Sequence, residues 1–77
     1  ILFQVNDKGT FIEEIKRVLR PKGQVLLIDW SVDSAVVHHK MIVTKNRARE
    51  MFEKKGFIWG RDINAGTHHY GMIFIKP

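Results

Sequence analysis

The sequence predicts an α/β fold in which a helix, a strand, a second helix and an antiparallel pair of strands follow one another. Three observations predict it. Two segments, 10–20 and 44–55, have apolar residues at spacings of three and four, together with helix-capping residues. A continuous apolar run, Val25 to Ile28, lies between these two segments. Two further apolar segments flank the turn-rich residues Asn64 to Thr67, a connection short enough for a hairpin.

The first helix is predicted to begin at Thr10. Glu13 stands three residues later, and the two side chains would form a capping box. Glu13 and Arg17 are four residues apart, in the favourable orientation for an ion pair on the exposed face. Pro21 and Gly23 end the helix. The apolar residues at helical spacing predict a buried stripe of Phe11, Ile12, Ile15, Val18 and Leu19.

The strand Gln24 to Trp30 contains an unbroken apolar run. Such a run is typical of a strand that is covered on both faces, as in parallel sheets flanked by helices. No complete strand precedes it, because Ile1 to Val5 is only a short apolar patch. One edge of the strand would therefore have nothing to pair with, and exposed apolar edges are normally covered. We expect another chain, or strands encoded upstream, to cover it.

The second helix follows Ser31 to Val43, which has no clean period and is predicted to be a loop. Its N-cap is predicted at Thr44, and it is predicted to run to Lys55. Gly56 stands where a left-handed residue closes a helix, and Phe57 could then contact the buried stripe in a Schellman closure. That stripe consists of Ala48, Met51 and Phe52.

The last third of the chain is predicted to form the strands Phe57 to Ile63 and Tyr70 to Ile75. In the second of these, Met72 and Phe74 alternate with isoleucines, so the strand is apolar on both faces. Such a strand is expected inside a sheet and not at its edge.

Length, charge and composition exclude several classes of protein. The 77 residues include no cysteine, which excludes disulfides and thiolate metal sites. No apolar run approaches the ~20 residues of a membrane span. Residues 1–77 are predicted to form a single, partial domain, because a globular chain this short without disulfide or metal is expected to be marginally stable alone.

Several segments resemble the carboxyl-terminal half of class I S-adenosylmethionine-dependent methyltransferases, and most closely the small-molecule group that includes the ubiquinone and menaquinone enzymes. Ile1 to Asp7 is similar to a stretch that follows that family's fourth strand. Glu14 to Gly23 is similar to the helix end that leads into its fifth strand, with Lys22 in place of a glycine. Val25 to Trp30 is similar to that strand, and Lys55 to Phe57 is similar to the start of the closing hairpin.

The resemblance implies a Rossmann-like sheet, of which this chain would be the carboxyl-terminal half. In that family the last strand is antiparallel and inserted, which here places Tyr70 to Ile75 beside Val25 to Ile28. It also implies a parent enzyme that uses S-adenosylmethionine, methylates a small molecule and is cytoplasmic. The family's Gly-rich turn and its ribose-binding acidic residue have no counterpart here, since neither Gly23 nor Gly56 stands in a Gly-x-Gly context. This chain alone is therefore not expected to bind the cofactor or to methylate anything.

Six residues are predicted to line a substrate site. In open α/β sheets, ligands bind beyond the carboxyl ends of the strands, where Asp29 and Trp30 follow the central strand. The alternative is that Asp29 caps a turn and Trp30 covers the sheet edge. No catalytic base is predicted. The other four residues come from the stretch similar to the family's fourth-strand segment and from the start of the last strand: Phe3, Gln4, His69 and Tyr70.

Two other kinds of site are not favoured by the sequence. Each of the pairs His38-His39 and His68-His69 offers at most one ligand to a metal, because neighbours on a strand point to opposite faces. Thirteen Lys and Arg against eight Asp and Glu leave a net charge of +5 at pH 7. Most of these cations fall on exposed helix faces, where charge usually serves solubility, so nucleic-acid binding is not favoured.

The leading hypothesis is the carboxyl-terminal half of a small-molecule methyltransferase, inactive alone. Its partner would be the missing amino-terminal half, or a second copy that associates through the unpaired strand edge. Two alternatives stay open: a stand-alone α/β module that dimerises through its open sheet edge, and a basic nucleic-acid-binding domain.

Overall fold

The computed structural model describes residues 6–31 and 43–77. Within these residues the order of elements is the predicted one. The apolar patch Ile1 to Val5, and residues 32–42 of the predicted loop, lie outside the described residues. The elements are α1 (Lys8–Val18), β1 (Gln24–Trp30), α2 (Lys45–Lys54), β2 (Ile58–Ile63) and β3 (His69–Ile75).

The three strands form one sheet in the order β1–β3–β2, and β3 is antiparallel to both neighbours. The predicted hairpin of the last two strands is therefore confirmed. The central place of β3, beside the apolar run of β1, is also confirmed. Because β3 lies between two strands, both of its backbone edges are paired and neither is exposed. Its side chains are apolar on both faces, as predicted for a strand inside the sheet.

The start of α1 differs from the prediction, because Asp7 and not Thr10 is its N-cap. The Asp7 carboxylate accepts hydrogen bonds from the Thr10 amide at 3.0 Å and from the Thr10 hydroxyl at 2.8 Å, and these bonds lower the pKa of Asp7. The predicted pair of Glu13 and Arg17 is wrong as well. Arg17 pairs with Glu14, whereas Glu13 pairs with Lys55 beyond the end of α2.

The apolar stripe of α1 packs on the sheet through Ile12, which is fully buried, with Phe11, Ile15 and Leu19 beside it. Val18 was predicted in this stripe but is 65% exposed. It lies six residues after Ile12, about 120° away around the helix axis, so it stands at the margin of the stripe.

Both ends of α2 are built as predicted. The Thr44 hydroxyl accepts a hydrogen bond from the Arg47 amide at 3.2 Å. At the other end, Gly56 has a left-handed φ of 93°. The Phe57 amide donates to the Phe52 carbonyl at 3.1 Å, which is the Schellman closure, and the two rings touch with centroids 5.4 Å apart.

The turn between α1 and β1 contains a residue with a left-handed backbone. Lys22, which stands where the resemblance described above has a glycine, adopts a φ of 67°. Glycine enters this region without steric cost, whereas lysine does not. The Lys22 amide donates to the Lys76 carbonyl at 2.7 Å, so the turn is held to the end of β3.

Only one face of the sheet is covered by the two helices. Residues directly opposite each other in antiparallel strands share a face. The helix face carries Leu27, Tyr70, Met72 and Phe74, all buried, and Phe74 stacks on Phe52 of α2 with ring centroids 4.5 Å apart. The core of the described residues lies between this face and the helices.

The other face, which we call the open face, carries Leu26, Ile28, Ile58, Ile73 and Ile75. Leu26 is 53%, Ile28 45% and Ile58 52% exposed. The prediction that β1 is covered on both faces is therefore wrong for the described part of the chain, since both of its helices pack on the helix face.

Candidate functional site

The carboxyl end of β1 is where the sequence predicts the substrate site. Pairing with β3 places Asp29 opposite Tyr70 and Trp30 opposite His69. The Ser31 amide continues the ladder by donating a hydrogen bond at 2.8 Å to the His68 carbonyl. The sheet therefore brings four of the six predicted residues to one end of the molecule. Phe3 and Gln4, the other two, lie outside the described residues.

These four side chains form two pairs on opposite faces of the sheet. Successive side chains on a strand alternate between faces. Asp29 and Tyr70 therefore point to the helix face and are buried, whereas Trp30 and His69 lie on the open face and are partly exposed. The described geometry thus separates a buried polar pair from an accessible aromatic pair, and one ligand does not reach all four side chains from the same side.

The buried pair is held by hydrogen bonds. The Tyr70 hydroxyl donates to the Val43 carbonyl at 2.8 Å, just before α2, and Asp29 accepts from the Trp30 amide at 2.9 Å. Burial, and to a smaller extent the negative charge of Asp29, raises the pKa of Tyr70 above its usual range. Tyr70 is therefore a neutral phenol near pH 7, and its proton is directed at the backbone. It is suited to positioning α2, not to proton transfer.

The accessible pair is a contact between two rings. The centroids of Trp30 and His69 are 4.2 Å apart, with 32° between the ring planes. Such a tilted pair of rings offers an aromatic wall with one polar ring. It lies at the carboxyl end of β1, next to the region beyond the strand ends where ligands bind in open α/β sheets.

A small cavity of about 330 Å³ lies beside the buried pair. The Ser31 hydroxyl is buried there, and its oxygen has no hydrogen-bond partner among the described residues. Of its lining residues, only Tyr70 was predicted for the site from the sequence, whereas Ser31, Lys45 and Asn46 were not. The available signal was that Ser31 follows β1 and that Thr44 begins the next helix, which brings both to the same end of the sheet. The lining consists of Ser31, Thr44, Lys45, Asn46 and Tyr70.

A larger groove of about 690 Å³ lies at the opposite end of the strands. The Lys76 ammonium donates to the carbonyls of Lys16 and Leu19, each at 2.7 Å, and the Lys16 ammonium donates to the Lys55 carbonyl at 3.1 Å. These lysines therefore neutralise the carboxyl ends of the two helices. The groove is lined by Glu13, Lys16, Arg17, Lys54, Lys55, Gly56 and Lys76.

The described residues do not contain a metal site or a spanning helix. No group of three or more His, Asp and Glu in ranges 6–31 and 43–77 could hold a metal ion. The pair His38-His39 lies outside those ranges. Neither α1 nor α2 has the length and apolar character needed to cross a membrane.

Comparisons with known proteins identify the fold. No protein-family model matches the sequence, and no curated protein sequence matches it. A solved S-adenosylmethionine-dependent methyltransferase from Aquifex aeolicus matches 99% of this chain with a TM-score of 0.86 and 20% identity. A solved putative type 11 methyltransferase from Sulfolobus solfataricus also matches 99% of it, with a TM-score of 0.80 and 23% identity.

This chain covers 42% of the first of those proteins and 46% of the second, so it spans less than half of either. Identities this low establish a shared fold, and the predicted fold is confirmed at that level. The chain therefore has the α/β architecture of the carboxyl-terminal region of a methyltransferase.

Proposed function

We propose that this chain is the carboxyl-terminal part of an S-adenosylmethionine-dependent methyltransferase with a small-molecule acceptor. One observation carries the proposal: two solved methyltransferases each match 99% of the chain, with TM-scores of 0.86 and 0.80. The relation to the ubiquinone and menaquinone group, and the cytoplasmic location, belong to the same proposal and rest on the sequence resemblance.

The cofactor site belongs to another part of the enzyme. S-adenosylmethionine supplies an activated methyl group, and its binding requires a Gly-rich strand–helix turn and a carboxylate for the ribose. Gly23 and Gly56 do not fit this role, because Gly23 closes a turn by donating to the Arg20 carbonyl at 2.8 Å and Gly56 ends α2. The described residues therefore do not fit the cofactor, and we propose that the chain alone is inactive.

The part of the reaction that this chain contributes is the placement of the acceptor. In this proposal Trp30 and His69 form one wall of the acceptor site, because they are the partly exposed pair at the carboxyl end of β1. Asp29 and Tyr70 support that wall from the buried face. Holding an acceptor in position is a large part of what a transferase must do, since it converts an encounter into an oriented, effectively unimolecular step.

A stand-alone interaction module is the second candidate, and the exposed open face favours it. That candidate predicts a native product of 77 residues that binds no cofactor. Nucleic-acid binding has less support. In the larger groove, the ammonium groups of Lys16 and Lys76 already donate to carbonyls at the helix ends, so their charges are used within the fold.

The test is to determine the intact mass of the native gene product and to measure S-adenosylmethionine binding by calorimetry, to that product and to the 77-residue chain. We expect a longer product that binds, and a 77-residue chain that does not. A native product of 77 residues that binds nothing would refute the methyltransferase proposal and favour the interaction module.

The acceptor wall is tested in the native product. We expect Trp30→Ala to raise KM for the acceptor about tenfold, as for a lost aromatic contact, while Kd for S-adenosylmethionine changes by less than about twofold. Val18→Ala is the matched control, because Val18 is an exposed apolar residue of α1 away from this end of β1. An unchanged KM in Trp30→Ala would remove Trp30 from the wall.

A further inference from the structure

The larger groove collects positive charge at the end of the sheet where both helices finish. Its lining contributes five cationic side chains and a single carboxylate, that of Glu13. The cations come from three places: the end of α1, the end of α2 and the residue that follows β3. The fold therefore brings an excess of positive charge into one concave site from three separate parts of the chain.

Ion pairs within the chain do not remove this excess. Two of the five cations pair with glutamates of α1. The other three, Lys16, Lys54 and Lys76, have no carboxylate partner among the described residues. The cations in the earlier turns of α2 are different, because each has a partner: Lys45 pairs with Asp62, Arg47 with Glu50 and Arg49 with Glu53. Unpaired charge on α2 is thus confined to the groove.

The backbone fixes two of the three unpaired ammonium groups in place. The Lys76 ammonium donates to the carbonyls of Lys16 and Leu19. The Lys16 ammonium donates to the Lys55 carbonyl. An ammonium group has three N–H donors, so Lys76 keeps one and Lys16 keeps two for a further partner. The two helix ends carry about half a negative charge each, so they offset about one of these two positive charges and leave the other.

We propose that this groove binds a small ligand with two or more linked phosphate groups, of the pyrophosphate or nucleoside diphosphate class. Lysine ammonium groups bind phosphate as point charges, and linked phosphates hold several negative charges close together. They therefore match cations that converge from three elements. The volume of about 690 Å³ also lies within the range of small-ligand sites.

This site is separate from the proposed acceptor wall and does not rest on the proposed function. The groove lies at the start of β1, whereas Trp30 and His69 meet at its carboxyl end. The seven residues of β1 place the two sites about 20 Å apart. A phosphate ligand in the groove would therefore bind without occupying the end of the sheet where a methyl acceptor is proposed.

The lining favours a small ligand over a macromolecular anion. The described lining residues include no aromatic side chain on which a nucleic-acid base could stack. They also include no large apolar side chain that could anchor an acidic peptide. A small phosphate ligand requires neither, because charge-assisted hydrogen bonds to its oxygens supply the contact.

The experiment measures pyrophosphate binding to the native gene product and to the 77-residue chain by calorimetry. Inorganic phosphate and a single-stranded RNA oligonucleotide are the comparison ligands. We expect both proteins to bind pyrophosphate about tenfold more tightly than phosphate, because it reaches ammonium groups on more than one element. A native product that does not bind pyrophosphate would overturn the site. Tighter binding of the RNA than of pyrophosphate would overturn this ligand class in favour of nucleic acid.

Lys54→Gln and Arg61→Gln are the matched variants. Each removes one charge from an exposed side chain, but only Lys54 lines the groove, so both should unfold near the parent's midpoint. We expect Lys54→Gln to raise the Kd of pyrophosphate about fourfold, and Arg61→Gln to raise it less than about twofold. Equal effects would mean that the net charge of the chain attracts the ligand from any side, and would overturn the site.

Lys16→Gln tests the ammonium group that the backbone fixes. We expect it to raise the Kd of pyrophosphate about tenfold, with thermal unfolding of the free protein as the check that the variant is folded. A folded Lys16→Gln variant that binds as the parent does would overturn the site. Competition separates this inference from the proposed function. Saturating S-adenosylmethionine should leave the Kd of pyrophosphate unchanged, and displacement of pyrophosphate would overturn a separate site.

Discussion

The two faces of the sheet have similar apolar character but different surroundings. On β3, Met72 and Phe74 point to the helix face and are fully buried, whereas Ile73 and Ile75 point to the open face and are only partly buried. The same strand therefore contributes two side chains to a closed core and two to a partly exposed apolar surface. The difference teaches that an apolar pattern shows which face of a strand requires burial, but not which part of a protein provides it.

The largest effect that tests this comparison is expected from Phe74→Ala in the 77-residue chain. Phe74 is fully buried and stacks on Phe52, so its truncation should cost about 3–5 kcal/mol of unfolding free energy. Leu26→Ala on the open face is the control and should cost about 1 kcal/mol or less, because half of that side chain is already in water. Guanidinium denaturation followed by circular dichroism measures both. Equal losses would contradict the difference between the faces.

The second-largest effect concerns the glycine turn that ends α2 and fixes this helix against the helix face of the sheet. Gly56 and Gly66 both have a left-handed φ, 93° and 94°, so alanine at either position should cost about 1–2 kcal/mol. A Cβ at Gly56 would also collide with the Lys16 ammonium, whereas a Cβ at Gly66 would meet open space. Gly56→Ala should therefore be the more destabilising variant in thermal unfolding. The reverse order would argue against this closure of α2.

Much of the fold was predictable because its signals are local. The Thr44 cap and the glycine that closes α2 each depend on residues within one helical turn, and both predictions are confirmed. The start of α1 was not predictable in the same way. Asp7 and Thr10 can each cap a helix and stand three residues apart, so the sequence offers two possible starts. The structure uses Asp7 as the cap and makes Thr10 its donor.

The candidate site was predictable in position but not in composition. The end of β1 follows from the rule for open sheets, and the pairing of β1 with β3 brings His69 and Tyr70 there as expected. For the neighbouring cavity the sequence places Ser31 and the start of α2 at the same end of the sheet, but the approach of Ser31 to Asn46 depends on how α2 is placed against the sheet. That placement is set by long-range packing, which single-residue patterns do not encode.

The third effect tests the buried polar pair at the end of β1. Because the folded state raises the pKa of Tyr70, it favours the neutral phenol. The contribution of this group to stability is complete below the unfolded pKa of about 10 and is lost as pH rises above it. Tyr70→Phe also removes the hydrogen bond to Val43, which should cost about 1 kcal/mol at pH 7.

Denaturation of the parent and of Tyr70→Phe between pH 7 and pH 11 checks this prediction. The parent should lose stability above about pH 10, and the variant should lose less over the same range, so the gap between them narrows. Parallel curves would mean that the folded state does not hold Tyr70 in its neutral form.

The smallest effect is expected on the open face. Its test compares lysine substitutions at two adjacent residues. Phe57 is buried against the core, whereas Ile58 begins β2 on the open face and is about half exposed. In the 77-residue chain, Ile58→Lys should change the unfolding free energy by about 0.5 kcal/mol or less, as for an ordinary surface substitution. Phe57→Lys, one position earlier, should prevent folding, because it places an unpaired charge in the core. If Ile58→Lys also unfolds the chain, then the open face is already covered in the isolated protein, and the contrast between the two faces does not hold.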